Sequence, residues 1–73
     1  MLEFDRITFD PNIMQGQACI RGMRITASLI INLIAHGKTT SDILDEYPSL
    51  ENEDITQALE YGAWLARDEV HVG

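Results

Sequence analysis

The chain carries one cysteine, Cys19, in 73 residues. With no second thiol, an internal disulfide and a cysteine-built metal site are both excluded. Cys19 reads as a small buried apolar residue, in keeping with a reducing compartment. Histidine is scarce as well: His36 and His71 have no metal-ligand spacing, so neither a metal nor a cofactor is expected. No apolar run approaches the roughly 20 residues that span a bilayer. The N-terminus shows no signal-peptide pattern, and a cytoplasmic protein without membrane attachment is expected.

Positive charge is the other shortage. Five Lys and Arg face 12 Asp and Glu, for a net charge of −7. The imbalance is confined to one half. Residues 1–40 hold Arg6, Arg21, Arg24 and Lys38 against three acids, whereas residues 41–73 hold Arg67 against nine. Such a half repels phosphate and attracts basic protein surfaces, so non-specific nucleic-acid binding by a lone copy is not expected. The 45% apolar content excludes disorder. A chain this short buries only about 60% of its unfolded surface, and without a staple that favours a homodimer or a partner.

The stretch Gly16 to Thr26 organises the rest. Glycines at 16 and 22 suggest positive φ or a close backbone approach. The residues between read as a short strand, a tight turn at Arg21-Gly22, and a second short strand running into a helix cap. Arg21 and Arg24 then project from a rigid corner, where a fork of fixed donors suits carboxylate or phosphate. Pinning of the corner to acids of the same chain stands beside that reading.

Upstream, Ile7-Thr8-Phe9 alternates as a short edge strand that pairs within the chain or with a second copy, and Asp10-Pro11-Asn12 is turn chemistry. Downstream, Thr26 caps a helix over Ala27–His36 that Gly37 ends. Its apolar residues cover about 200° of the wheel, and His36 reads as a cap in the last turn. Thr39 and Asp42 form a capping-box pattern for a second helix, striped by Ile43, Leu44 and Tyr47 and stopped by Pro48. A third helix starts near Asn52 and runs to about Arg67, with Ile55, Ala58, Leu59, Gly62, Leu65 and Ala66 on one face. Ala58 and Gly62 let another helix cross closely. The tail from Asp68 to Gly73 is expected to fray.

The fold expected is mainly α: short strands and the glycine corner in 1–26, then a three-helix, helix-turn-helix-like (homeodomain-like) region in 27–67, all in a single domain over 1–73. Trp64 falls opposite the core, among Glu53, Gln57 and Glu60. It is either an interface anchor or partly buried under the N-terminal strand. The third helix would be the recognition helix of a DNA-binding domain, yet its outward face carries Glu53, Asp54 and Glu60, which would oppose phosphates.

These residues resemble the small bacterial domain-of-unknown-function family numbered 433. The likeness lies in Ile7-Thr8, Asp10-Pro11, Gly16, Ile20-Arg21-Gly22, Arg24-Ile25, Gly37 with Thr39, Tyr47-Pro48, Asp54-Ile55 and Tyr61-Gly62-Ala63. Departures are Ala18 for the usual proline, Met23 for threonine, Thr26 where proline is common, and Glu51 for a threonine cap. The resemblance implies a small helix-turn-helix-like domain, often dimeric, with an antitoxin-like role as partner of a PIN-like ribonuclease toxin.

Three functions follow as expectations. The first is a non-enzymatic antitoxin that neutralises the nuclease in one of two ways. Arg21 or Arg24 pairs with the carboxylates that hold the toxin's metal, or the acidic third helix (Glu53, Glu60, Trp64) covers its basic RNA track. The second is a dimeric regulator that touches operator DNA with Arg6, Arg21, Arg24 and Lys38. The third, an enzyme, is disfavoured: Cys19 and His36 lack an orienting third group, and the adjacent acids Asp45-Glu46 and Glu53-Asp54 diverge on a helix.

Overall fold

Strand β1 (Ile7–Phe9) pairs antiparallel with β2 (Ala18–Ile20), placing Ile7 opposite Ile20, Thr8 opposite Cys19 and Phe9 opposite Ala18. The computed structural model describes residues 4–69. Strand alternation sends Ile7 and Ile20 into the core, while Phe9, where the sheet outruns that core, stays 59% exposed. The β1–β2 connection contains one left-handed turn, with Met14, Gln15 and Gly16 at φ 49°, 60° and 81°.

After β2 the chain reverses tightly. Arg21 and Gly22 both take positive φ, 45° and 73°, and Met23 N–H donates to the Ile20 carbonyl at 2.8 Å. Left-handed residues at both central positions mark a type I′ turn. The expected second strand beyond it shrinks to one bridge between Cys19 and Thr26. The reason is local: Thr26 already caps the next helix, so the chain leaves the sheet there.

Helix α1 (Ala27–Ala35) begins with Thr26 Oγ1 accepting from Leu29 N–H at 3.0 Å. It closes with Gly37 N–H donating to the Ile34 carbonyl and Lys38 N–H to the Leu33 carbonyl, both at 3.0 Å, a Schellman pair. His36 ends the helix, its Nδ1 2.7 Å from the Asn32 carbonyl. Helix α2 (Thr40–Glu46) opens on a full capping box, in which Thr39 Oγ1 accepts from Asp42 N–H and the Asp42 carboxylate accepts from Thr39 N–H. Ile43 is buried, and Leu44 and Tyr47 half-buried.

Helix α3 (Asn52–Glu69) lies against α1. Ile55 and Ala58 join Ile7, Ile20, Ala27, Ile30, Ile43 and Leu50 in one core. At Gly62 a Cβ would lie 2.6 Å from Ile31 Cδ1, so the bare backbone there makes room for the Ile31 side chain of α1. The expected apolar face is only partly buried: Leu59 and Leu65 remain 37% and 42% exposed, and Ala66 is exposed. At 1.5 Å per residue, α3 is about 27 Å long against about 14 Å for α1, so its last turns run on past the core. Part of the tail expected to fray, residues 70–73, lies outside the described residues; α3 itself continues through Glu69.

Candidate functional site

Asp54 corrects the sequence reading most sharply. Placed there on the outward face of the third helix, it is fully buried. It is the N3 residue of α3 and turns back onto the start of its own helix, accepting from Glu51 N–H at 2.7 Å. Arg21 grips it from the type I′ turn, with Nε 3.0 Å from Oδ1 and Nη2 2.8 Å from Oδ2, and Nη2 also reaches the Ser49 carbonyl. From the start of β1, Arg6 adds Nη1 at 2.9 Å from Oδ1 and donates to Glu51 Oε1 at 2.7 Å. Burial alone would raise the Asp54 pKa. The Arg21 hydrogen bonds, the Glu51 N–H and Arg6 together outweigh it and hold the carboxyl at about 2. The Arg6 guanidinium is correspondingly pushed above its ordinary value by its hydrogen bonds to Glu51 and Asp54, and that of Arg21 by its bonds to Asp54.

The signal for this centre was present but weak. On the wheel Asp54 lies only about 40° from Ala58, at the margin of the apolar face. Its partners stand 33 and 48 residues away, where helical periodicity says nothing.

A second feature is the outer face of α3. Glu53, Glu60 and Trp64 are all exposed along one side of the helix. Trp64, 38% exposed, is backed by Phe4 at 5.9 Å and Tyr61 at 6.2 Å between ring centroids. Phe4 also meets Tyr61 edge-on at 5.5 Å, and Phe9 lies 6.1 Å from Tyr61. The indole is thus partly covered, by Phe4 just before the N-terminal strand, and open on its other side. Tyr61 is its neighbour three residues earlier on the same helix, a local pairing, whereas Phe4 arrives from the N-terminal segment and has no signature in the local sequence. Gln57, on the same face, accepts from Arg6 N–H at 3.0 Å and donates to the Asp5 carboxylate. Glu53 approaches Arg6 Nη2 at 3.7 Å.

The remaining cations part company. Arg24 is exposed beside the left-handed turn and makes no salt bridge or side-chain hydrogen bond among the described residues, and neither does Lys38 past the end of α1. Of the four cations assigned to phosphate contact, Arg6 and Arg21 are therefore committed to Asp54, and Arg24 and Lys38 are not. Among the described residues no group of His, Cys, Asp or Glu is placed to hold a metal ion, and no helix is long and apolar enough to cross a membrane.

Two comparisons bear on this arrangement. A family described as "Protein of unknown function (DUF433)" matches residues 7–62, which takes in β1, the glycine corner, all of α1 and α2, Asp54 and Gly62. The crystal structure of a DUF433 member protein from Anabaena variabilis ATCC 29413 is similar to this chain with a TM-score of 0.80 and 28% identity. The similarity covers 88% of this chain and 63% of that one, so the chain spans less than two thirds of its relative's length. No curated protein matches.

Proposed function

This chain belongs to the DUF433 family, and we propose that it is a non-enzymatic, antitoxin-like protein that binds and masks a PIN-like ribonuclease through the outer face of α3. The observation that carries the reading is Trp64, a half-open indole in line with the exposed carboxylates of Glu53 and Glu60. Tryptophan dominates many interfaces, and a ring already held by Phe4 and Tyr61 loses little freedom on docking. The flanking carboxylates complement the basic track a ribonuclease offers its RNA. Masking by a guanidinium thrust among metal-binding carboxylates is the lesser mode: Arg21 already holds a carboxylate of its own chain, and Arg24 alone is left to face a cluster of several carboxylates.

The test begins with whatever co-purifies with the tagged chain from its native cell. Trp64→Ala, and separately the charge reversal Glu53→Lys with Glu60→Lys, should weaken that complex at least about tenfold and release nuclease activity, while Arg24→Ala leaves the nuclease masked. A complex indifferent to both α3 variants would end this reading.

The alternative of a dimeric DNA-binding regulator draws support from the order of three helices after a small sheet. The −7 charge and the engagement of Arg6 and Arg21 with Asp54 weigh against it. A gel shift on upstream DNA that weakens steeply with added salt, obtained with the chain alone, would put it first.

A further inference from the structure

The segment between β1 and α1 holds a feature that the α3 face does not use. Pro11, Asn12, Met14, Gln15, Gln17 and Arg24 line an open groove of about 490 Å³. Acids outnumber bases on this chain, yet among the described residues none lines this groove. Its one charge is the Arg24 guanidinium, which makes no salt bridge among the described residues although Arg6 and Arg21 are both paired. Three carboxamides, each able to donate two hydrogen bonds, stand beside it. The wall between them is fixed rather than loose. Met14 and Gln15 hold a left-handed backbone that L residues rarely adopt, closed by Gly16 N–H onto the Ile13 carbonyl and Gln17 N–H onto the Met14 carbonyl.

We propose that this groove binds a side-chain carboxylate on an acidic peptide segment of a partner protein, with Arg24 as the cation and the carboxamides of Asn12, Gln15 and Gln17 as neutral donors around it. The guanidinium fork matches a carboxylate in two-point geometry. A single carboxylate suits the site better than nucleic acid does: one cation with neutral donors satisfies one anionic group, whereas a polyphosphate would also meet the field of a chain at −7. Pro11 and Met14 give apolar walls for a residue next to the acid, and the open form admits a peptide running through. The site shares no lining residue with the α3 face, so it stands or falls independently of the function proposed above.

The test uses the full chain, labelled with 15N, and the peptide acetyl-Leu-Ala-Glu-Leu-amide, which carries a single carboxylate. Its neutral counterpart acetyl-Leu-Ala-Gln-Leu-amide, inorganic phosphate and a short RNA serve as competing probes. The acidic peptide should give saturable shifts at the side-chain amides of Asn12, Gln15 and Gln17 and at Arg24 Nε. The neutral peptide, or the Arg24→Gln variant, should bind at least about tenfold more weakly. Arg24→Gln should melt at the parent temperature, because the Arg24 side chain holds no partner among the described residues, and Trp64→Ala should leave the shifts in place. Four results would overturn the proposal: no shift at millimolar peptide, equal binding of the neutral peptide, unchanged affinity in Arg24→Gln, or tighter binding of phosphate or RNA than of the acidic peptide.

Discussion

Arg21 holds Asp54 by both carboxylate oxygens, Nε on Oδ1 at 3.0 Å and Nη2 on Oδ2 at 2.8 Å, and so ties the turn after β2 to the first turn of α3. The backbone pays a local strain there, since Arg21 is a non-glycine residue at φ 45°. The fork explains why an arginine occupies a turn position that asparagine or glycine fills more easily.

Removing the acid therefore damages more than a surface ion pair. Asp54→Ala leaves two guanidinium groups without their shared acid, and because both keep some access to water the cost falls at the low end for a broken buried pair, about 3 kcal/mol. Against a total of roughly 4–11 kcal/mol for a domain of this size, thermal unfolding followed by circular dichroism should start at least about 15 °C lower. Arg21→Lys, which keeps the charge but loses the fork, should fall between the parent and Asp54→Ala.

Acid should undo the same contact. The Asp54 carboxyl titrates at about 2 in the folded chain against an ordinary 3.8, so its contribution is complete above about pH 4 and disappears as pH drops through 2. The difference amounts to about 2 kcal/mol. Asp42, held below its ordinary range by the backbone N–H and hydroxyl of Thr39, acts in the same direction. Urea midpoints measured between pH 6 and pH 2 should drop in the parent and slope less steeply in Asp54→Asn.

The start of α2 gives a cleaner, smaller effect. Thr39→Ala removes the oxygen that accepts from Asp42 N–H at 3.1 Å, and loss of such a cap costs about 1 kcal/mol. A lower urea midpoint with an unchanged slope, the product of shift and slope being about 1 kcal/mol, would confirm a local cause.

Gly62 tests the approach of α1 and α3. A Cβ there meets only the tip of Ile31, so Gly62→Ala should be nearly neutral: a rotamer change at Ile31 offsets the gain in helix propensity. Gly62→Leu cannot be absorbed by one side chain and should cost about 1–3 kcal/mol in chemical denaturation.

How much of this was readable beforehand depended on range. Contacts within about four residues were legible: Thr26 on α1, the Thr39–Asp42 box, and Gly37 at the end of α1 all follow from local backbone chemistry. The alternation of Ile7-Thr8-Phe9 likewise announced a strand. Asp54 did not announce itself, because an acid in the first turn of a helix is normally solvated and its arginines arrive from far upstream. Arg21 and Arg24 looked equivalent in the motif, and only the turn geometry sends one to a buried carboxylate and leaves the other outside. Leu59 and Leu65 sit on the predicted face but lie partly uncovered, Leu59 at the edge of that face and Leu65 beyond Gly62, where α3 meets Ile31 of α1.

The carboxylates that Arg6 meets in the folded chain, those of Glu51, Glu53 and Asp54, stand 45 or more positions later. During synthesis β1 and β2 can pair as soon as both have emerged, but the tie from Arg6 to the last helix forms only once the beginning of that helix is free to fold. A nascent product halted before that point would expose Ile7, Ile20 and Ile30 with no lid, which makes truncated copies ready targets for cellular proteases.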